Sequence, residues 1–407
     1  MLRCGLLGEK LGHSYSPAIH ALLGDYEYRL YEKAPGEVEE FLRRGDFDGL
    51  NVTIPYKKTV LPLCAELSDG ARSIGSVNTL VRRADGTLFG DNTDAFGFRY
   101  LLSSAGIDPK GAKALVLGSG GASVMAVYVL KTLGAASVTV ISRTGENNYS
   151  NLGRHADADL IVNTTPVGMY PDNGAAAVDL TCFPHCRGVA DVVYNPARTA
   201  LLLQAEELGI PRGGGLGMLT AQAVRASELF QGRTIDPALI GSITDKLRRE
   251  SGNIILIGMP GCGKTTVAER LSALTGRPVL DADARIAETA GKTIPEIFAE
   301  SGEEGFRALE TKVLSELGKR SGAIIATGGG CVTRPENYPL LHQNGTLFWL
   351  RRDTALLPRD GRPLSQNADL SEMYEKRAPL YARFADAVIE NDRTADDAAR
   401  DILEAYT

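Results

Sequence analysis

Basic residues do not outnumber acidic ones in this 407-residue chain: 44 Lys and Arg stand against 50 Asp and Glu, a formal net charge of −6. A nucleic-acid binder presents a basic face, and the total gives no sign of one. Cysteine is scarce, 6 residues scattered without paired spacing. That excludes a disulfide framework and points to reduced thiols in a cytosolic compartment. Cys182 and Cys186 lie close together, yet no second pair completes a four-ligand zinc site. Residues 1–14 hold no long apolar stretch and no run approaches the length of a membrane span, so neither a signal peptide nor a membrane helix is expected, and a cytoplasmic protein is. Short internal repeats are missing, and so are long Gly/Ser or Pro tethers. What is there is an ordinary globular balance, 43% hydrophobic and 23% charged, with apolar content for several cores. At the usual size per domain the length implies roughly two to four domains. The expected partners are small molecules, drawn in by local basic clusters, with no nucleic acid and no membrane.

Two Gly-rich loops stand out, each between a strand-like and a helix-like stretch. The first follows residues 113–118 and reads Gly118-Ser119-Gly120-Gly121-Ala122. The second follows residues 253–258 and reads Gly258-Met259-Pro260-Gly261-Cys262-Gly263-Lys264-Thr265. Strand, glycine turn and helix is the context a nucleotide loop requires. A charged stretch at residues 236–252 reads as a helix end plus a short tether, with the domain boundary near Ser251. Before residue 113, candidate strands at residues 3–7, 28–32, 49–53 and 79–82 alternate with helical stretches and suggest a small α/β unit with a parallel sheet.

Glycines in the first loop let the backbone approach a pyrophosphate at a helix N-terminus. The next strand, residues 137–141, ends in Ser142-Arg143-Thr144, with no acid until Glu146. An acid there would hold a ribose 2′-hydroxyl, whereas a 2′-phosphate wants Arg, so the electrostatics favour NADP over NAD.

Several separate motifs then carry a resemblance. They are His13-Ser14-Tyr15-Ser16-Pro17, Asn51-Val52-Thr53-Ile54-Pro55-Tyr56-Lys57, Gly75-Ser76-Val77-Asn78-Thr79 and Gly90-Asp91-Asn92-Thr93-Asp94, followed by Asn163-Thr164-Thr165-Pro166, residues 191–194, and Gly215-Leu216-Gly217-Met218-Leu219 with Gln222. In that order they resemble the shikimate dehydrogenase family over residues 3–240. The resemblance implies a two-lobed dehydrogenase, its helices after Gly217 folding back on the first lobe. It makes Lys57 and Asp94 the acid/base pair, with Lys57 either moving the proton or mainly orienting the substrate. Ser14, Ser16, Thr53, Asn78, Tyr194 and Gln222 would bind the substrate's hydroxyls and carboxylate. The cofactor set would be Gly118, Ser119, Gly120, Gly121, Ala122, Ser142, Arg143, Thr144, Val192 and Gly215. Read locally, Ser16-Pro17 is instead an N-cap followed by a first-turn proline. Two features depart from the family: Asn147 replaces a second basic residue, and residues 145–157 are short, as for a trimmed helix.

The second loop is a complete P-loop, whose backbone N–H groups cradle phosphates while Lys264 reaches the β- and γ-phosphates and Thr265 holds Mg²⁺. Asp281 and Asp283, one residue apart at a strand end, share a face if the strand continues. Arg307 and Glu310 share a helical face. With Thr327-Gly328-Gly329-Gly330, Gly361-Arg362-Pro363-Leu364 and Arg377-Ala378-Pro379-Leu380-Tyr381, residues 253–404 resemble shikimate kinase. The resemblance implies that Asp283 orients or deprotonates the acceptor hydroxyl, and that Arg307 and Arg377 clamp a carboxylate with Gly329 beside them. Arg362 would sit on a lid, shorter here than in the family, Asp281 would support Mg²⁺ with Thr265, and Arg393 would flank the adenine. Gly261, Cys262, Gly263, Lys264, Thr265 and Thr266 complete the ATP site.

The expected fold class is α/β. A small α/β substrate domain (1–98 plus 216–240) and a Rossmann NADP domain (99–215) are followed by a linker (241–252) and a P-loop, nucleoside-monophosphate-kinase-like domain (253–407). The expected chemistry is NADPH-dependent reduction of 3-dehydroshikimate to shikimate, then ATP/Mg-dependent phosphorylation of shikimate, two consecutive steps of chorismate and aromatic amino acid biosynthesis. Three alternatives stay open. One is an NAD-dependent quinate/shikimate dehydrogenase half. Another is a catalytically dead regulatory descendant. The last is a kinase half with a different acceptor, such as gluconate.

Overall fold

A computed structural model of the chain describes residues 1–12, 14–357 and 370–406. The chain forms two compact units. The first comprises Met1–Met169, Ala175–Tyr194 and Leu201–Thr244, and the second comprises Tyr170–Gly174, Asn195–Ala200 and Asp245–Thr407.

The first unit holds two sheets. Strands β1 (Arg3–Gly8), β2 (Glu27–Glu32), β3 (Gly49–Val52), β4 (Glu66–Leu67), β5 (Thr79–Arg82) and β6 (Leu88–Asp91) make a sheet of order β2-β1-β3-β5-β6-β4. Only part of it is parallel: β1 runs parallel to β2 and β3, but β5 is antiparallel to both β3 and β6. The sheet is therefore mixed rather than the parallel one expected. Two short strands, β4 and β6, carry no periodic signal of their own and form because their neighbours offer a paired edge. Strands β7 (Lys113–Leu117), β8 (Ser137–Ile141), β9 (Leu160–Asn163), β10 (Gly188–Asp191) and β11 (Arg212–Gly213) form an all-parallel sheet of order β11-β10-β9-β7-β8. Its central strands are continuous apolar runs because helices cover both faces: Leu115, Leu117 and Ile161 pack to one side, Ala114, Val116 and Val162 to the other. The Gly215–Gln231 helix packs along the Asp94–Ser104 helix, and its Ala226 and Phe230 pack with Cys4 and Tyr26 beside the first sheet.

In the second unit, β12 (Asn253–Ile257), β13 (Val279–Asp281), β14 (Ile324–Ala326), β15 (Gly345–Arg351) and β16 (Ala387–Glu390) form a parallel sheet of order β13-β14-β12-β15-β16. Ile254, Ile255, Leu256 and Ile257 are wholly buried at its centre. The stretch expected as a tether is helical, Ala238–Ser251, and reaches to within two residues of β12. None of the helices among the described residues is long and apolar enough to cross a membrane.

Both parallel sheets reverse strand order beside their first strand, at β7 and at β12. Ligands of open α/β sheets bind outside the carboxyl ends of strands at such switch points, and both Gly-rich loops lie there.

Candidate active sites

The first site begins where β3 ends. Thr53 and Lys57 follow it, and the Lys57 Nζ donates to Asp94 Oδ2 at 2.6 Å. Asp94 opens the Asp94–Ser104 helix, where the helix dipole favours a negative charge. The pair is only partly covered, 32% and 21% of each side chain being exposed, as a pair that must meet a ligand requires. Around it lies a cavity of about 710 Å³ lined by Ser14, Ser16, Thr53, Lys57, Asn78, Asp94, Tyr194 and Gln222, together with Gly121, Ala122, Val192 and Gly215.

Local folding explains why these polar groups face the cavity. Ser16 is the first residue of a helix whose cap position is Tyr15, with no side-chain capping bond. The N-cap reading of Ser16-Pro17 is thereby corrected, and the Ser16 hydroxyl is not used as a cap. Asn78 accepts through Oδ1 from the Thr93 backbone at 2.7 Å and from the Thr79 hydroxyl at 3.1 Å, which leaves its amide end as the donor. Gln222 is held by donation from Nε2 to the Leu219 carbonyl at 2.8 Å. Tyr194 stands edge-on to Tyr15, ring centroids 5.9 Å apart, and burial raises its phenol above the ordinary value.

Asn51, Ser76 and Asn92 line the same cavity. Sequence reasoning missed them as site residues, although all three stand inside the motifs that carry the resemblance. Asn51 Oδ1 accepts from the Tyr28 hydroxyl at 2.8 Å. Tyr28 in turn stacks on the buried ring of His20, centroids 4.0 Å apart.

The cofactor loop has two kinds of glycine. Gly118 has φ +106, and a Cβ there would sit 2.9 Å from Thr164 Oγ1. Gly120 and Gly121 border open space, with nothing within 4 Å of where a Cβ would stand, and Gly120 precedes the first turn of the Gly121–Thr132 helix. Gly118, Ser119 and Gly120 are not among the cavity-lining residues; neither are Ser142, Arg143 and Thr144, which follow β8. Ser142 donates to the Thr144 carbonyl at 2.7 Å. Asn147 bonds the His155 ring at 3.0 Å. Where a longer helix was thought trimmed, the chain makes a short 3₁₀ segment, Tyr149–His155.

The second unit carries a cavity of about 830 Å³ at the end of β12, lined by Gly261, Gly263, Lys264, Thr265, Thr266, Asp281, Asp283, Arg307, Gly329 and Arg377. Lys264 Nζ donates to the carbonyls of Gly258 and Met259 at 2.9 and 3.0 Å, which folds the P-loop around it. The Thr265 hydroxyl donates to Asp281 Oδ2 at 3.0 Å. Asp281 and Asp283 both reach the cavity, but not by strand alternation. The strand stops at Asp281, whose carboxylate caps the Ala282–Ala290 helix through the Ala284 N–H, and Asp283 lies in that helix's first turn.

Arg307 and Glu310 do meet, Nη1 to Oε2 at 2.8 Å, with Glu303 at 3.2 Å from Nη2. Glu310 is fully buried. Burial pushes its carboxyl above the usual carboxylate range against the pull of Arg307. The glycine triplet is the counter-shape of this cluster. A Cβ on Gly328 would lie 2.6 Å from Glu310 Oε1, one on Gly329 would lie 2.6 Å from Pro260 Cδ, and one on Gly330 would collide with the Arg307 guanidinium. The Gly329 carbonyl accepts from Arg377 Nη1 at 3.2 Å and from the Tyr381 hydroxyl.

Two expected residues stand elsewhere. The Cys262 side chain is buried in the core, so only its backbone serves the loop. Arg393 does not line the cavity and is ion-paired with Asp401 at 2.7 Å, because the helix after β16 brings that acid back to it. Arg362 lies outside the described residues, as does His13.

Comparison with known proteins bears on both units. Residues 6–80 match the family model for the shikimate dehydrogenase substrate binding domain, and residues 260–407 match that for shikimate kinase. A shikimate dehydrogenase (NADP(+)) of Clostridium perfringens (strain SM101 / Type A) is 34% identical over 265 residues, 60% of this chain and 97% of the relative. That of Methanopyrus kandleri is 38% identical over 261 residues, 56% of this chain and 89% of the relative. Among solved structures, the shikimate 5-dehydrogenase of Thermus thermophilus in complex with NADP(H) and shikimate is similar at 33% identity and a TM-score of 0.55, covering 60% of this chain and 99% of that one. The quinate dehydrogenase of Corynebacterium glutamicum in complex with NAD is similar at 30% identity and a TM-score of 0.55, covering 59% and 96%. The chain belongs to the shikimate dehydrogenase family through its N-terminal three-fifths and carries a shikimate kinase domain after it, a fusion of two enzymes of the shikimate pathway.

Proposed function

We propose that the first unit reduces 3-dehydroshikimate to shikimate with NADPH, and that the second phosphorylates the shikimate so formed to shikimate 3-phosphate with ATP. The observation that carries the reading is the Lys57–Asp94 pair at 2.6 Å inside a cavity lined by hydroxyl and amide side chains. Bound NADPH supplies the hydride to the ring ketone's carbon. Lys57, held by Asp94, polarises the ketone oxygen and delivers the proton that completes the alcohol, worth about 10²- to 10⁴-fold in rate. Ser14, Ser16, Thr53, Asn78 and Gln222 offer neutral donors and acceptors to a polyhydroxylated carboxylic acid, and Tyr194 closes one wall.

Arg143 supports NADPH over NADH. It follows β8, where a ribose 2′-phosphate is read, and no ion pair engages its guanidinium among the described residues.

In the second unit, bound ATP supplies the phosphoryl group. Asp283 takes the proton from the attacking hydroxyl, Arg307 and Arg377 hold the carboxylate by guanidinium forks, and Lys264 neutralises the phosphates. No cluster of three or more His, Cys, Asp or Glu side chains among the described residues would hold a metal unaided. Thr265 and Asp281 provide the oxygen donors that suit Mg²⁺ arriving with a nucleotide.

The test is one incubation of the full chain with 3-dehydroshikimate, NADPH, ATP and Mg²⁺, following NADPH consumption and ADP release separately. Both signals and accumulation of shikimate 3-phosphate are expected. Lys57→Met should silence both signals, with ADP release restored by added shikimate, and Asp283→Asn only the second. NADPH left untouched while NAD⁺ is reduced with quinate would overturn the dehydrogenase reading. ADP release that ignores added shikimate would overturn the kinase reading.

A further inference from the structure

The kinase-like cavity contains a cation that the roles above leave unused. Arg352 directly follows β15 and lines the cavity beside Gly261, Gly263, Lys264, Thr265 and Thr266. Its Nη1 lies 3.9 Å from the point where a Cβ on Gly263 would stand, so the guanidinium borders the P-loop itself. Its Nε is buried and has no hydrogen-bond partner.

The other cations of the cavity are engaged. Lys264 bonds two loop carbonyls, Arg307 pairs with Glu310 and Glu303, and Arg377 donates to the Gly329 carbonyl. The neighbouring Arg351 pairs with Glu390. No acid among the described residues forms an ion pair with Arg352. A guanidinium drawn partly out of water without a counter-charge is costly, and such a group at a cavity wall is offset by an anion that the cavity's ligand brings. The P-loop beside it binds the same kind of anion through backbone N–H groups and the N-terminus of the Lys264–Thr275 helix. Asn391 holds that loop in place from the same side, donating to the Cys262 carbonyl at 2.6 Å.

We propose that Arg352 is a phosphate ligand of the bound nucleotide, a guanidinium fork that supplements Lys264 at the P-loop. The inference rests on the kinase reading of this cavity and extends it to a residue outside the P-loop, the diacid and the carboxylate clamp.

The test is calorimetric binding of Mg-ADP and of adenosine to the full chain and to its Arg352→Gln and Arg352→Lys variants. Each variant's fold is checked by the fluorescence of Trp349 and by its NADPH-dependent reduction. Loss of one charge-assisted contact predicts Mg-ADP binding about 10- to 100-fold weaker in Arg352→Gln, adenosine binding within about twofold of wild type, and Arg352→Lys between the two. Unchanged Mg-ADP affinity in a folded Arg352→Gln or Arg352→Lys chain would overturn the proposal, as would an equal loss for adenosine, which would place the side chain on the base. Failure of the wild-type chain to bind Mg-ADP would instead remove the kinase reading on which the proposal stands.

Discussion

Mild acid is expected to weaken the first unit through one buried histidine. His20 is 1% exposed. Its Nδ1 is 2.6 Å from the Tyr26 hydroxyl, its ring stacks on Tyr28, and its Nε2 has no hydrogen-bond partner. Burial pulls the imidazole from its ordinary 6.5 down to about 3, with Asn51 opposing. The folded state thus holds His20 neutral where the unfolded chain would protonate it. The associated stability is complete above 6.5 and drains away as pH falls from 6.5 towards about 3. At about 1.4 kcal/mol per pH unit, the loss from this residue is about 1.4 kcal/mol at pH ~5.5 and about 2.7 kcal/mol at pH ~4.5. The assay is urea unfolding of the full chain at neutral pH and at those two values, with loss of NADPH-dependent reduction reporting the first unit. Other groups titrate in the same range, so the quantity of interest is the difference from His20→Gln, which cannot titrate and keeps a polar contact for Tyr26. Wild type should lose more stability than the variant by the amounts given. Parallel pH profiles for the two chains would refute the reasoning. Because Tyr28 bridges His20 to Asn51 at the cavity wall, the KM for the ring ketone should rise in wild type before kcat falls.

Two further outcomes follow from the sites. Glu310→Gln removes the buried counter-charge of Arg307 while keeping its shape, and should destabilise the second unit by about 3 kcal/mol and raise the KM for shikimate phosphorylation. Trp349 fluorescence during unfolding and steady-state kinetics check this, with NADPH-dependent reduction unchanged. Arg143→Ala should raise the KM for NADPH by about 10-fold or more and leave that for NADH nearly as it was, read from initial rates with each cofactor.

The chemistry-bearing loops were legible in the sequence because their residue types are forced. Only glycine lets the backbone come as close as Gly118 does to Thr164, and a P-loop asks for Lys followed by Ser or Thr at a helix start. The pairing of strands was less legible. Nothing within the two residues Glu66–Leu67 announces a strand, and the antiparallel seating of β5 depends on neighbours far off in sequence. Asp283 was found for a wrong reason: the alternation rule needs a strand that continues, and Asp281 ends it by capping a helix. The ion pair of Arg393 with Asp401, made when the Ala395–Ala405 helix brings that acid back, could not be read from the letters. Arg351 and Arg352 are indistinguishable as letters. The pleat at the end of β15 sends the first to Glu390 and the second to the cavity.

The glycines of the two halves are protected by different things, and this shapes which mutations the protein tolerates. Gly328, Gly329 and Gly330 are hemmed in by groups of the fold itself. Selection for a folded chain should weigh against replacement there, most of all at Gly329, whose neighbour is Pro260. Gly120 and Gly121 face open space, so folding leaves them free to change, and only selection for cofactor turnover should hold them. A library sorted first for solubility and then for growth of a dehydrogenase-deficient host without the pathway's product would separate the two classes, identifying from survival counts alone which glycines belong to the scaffold and which keep room for a guest.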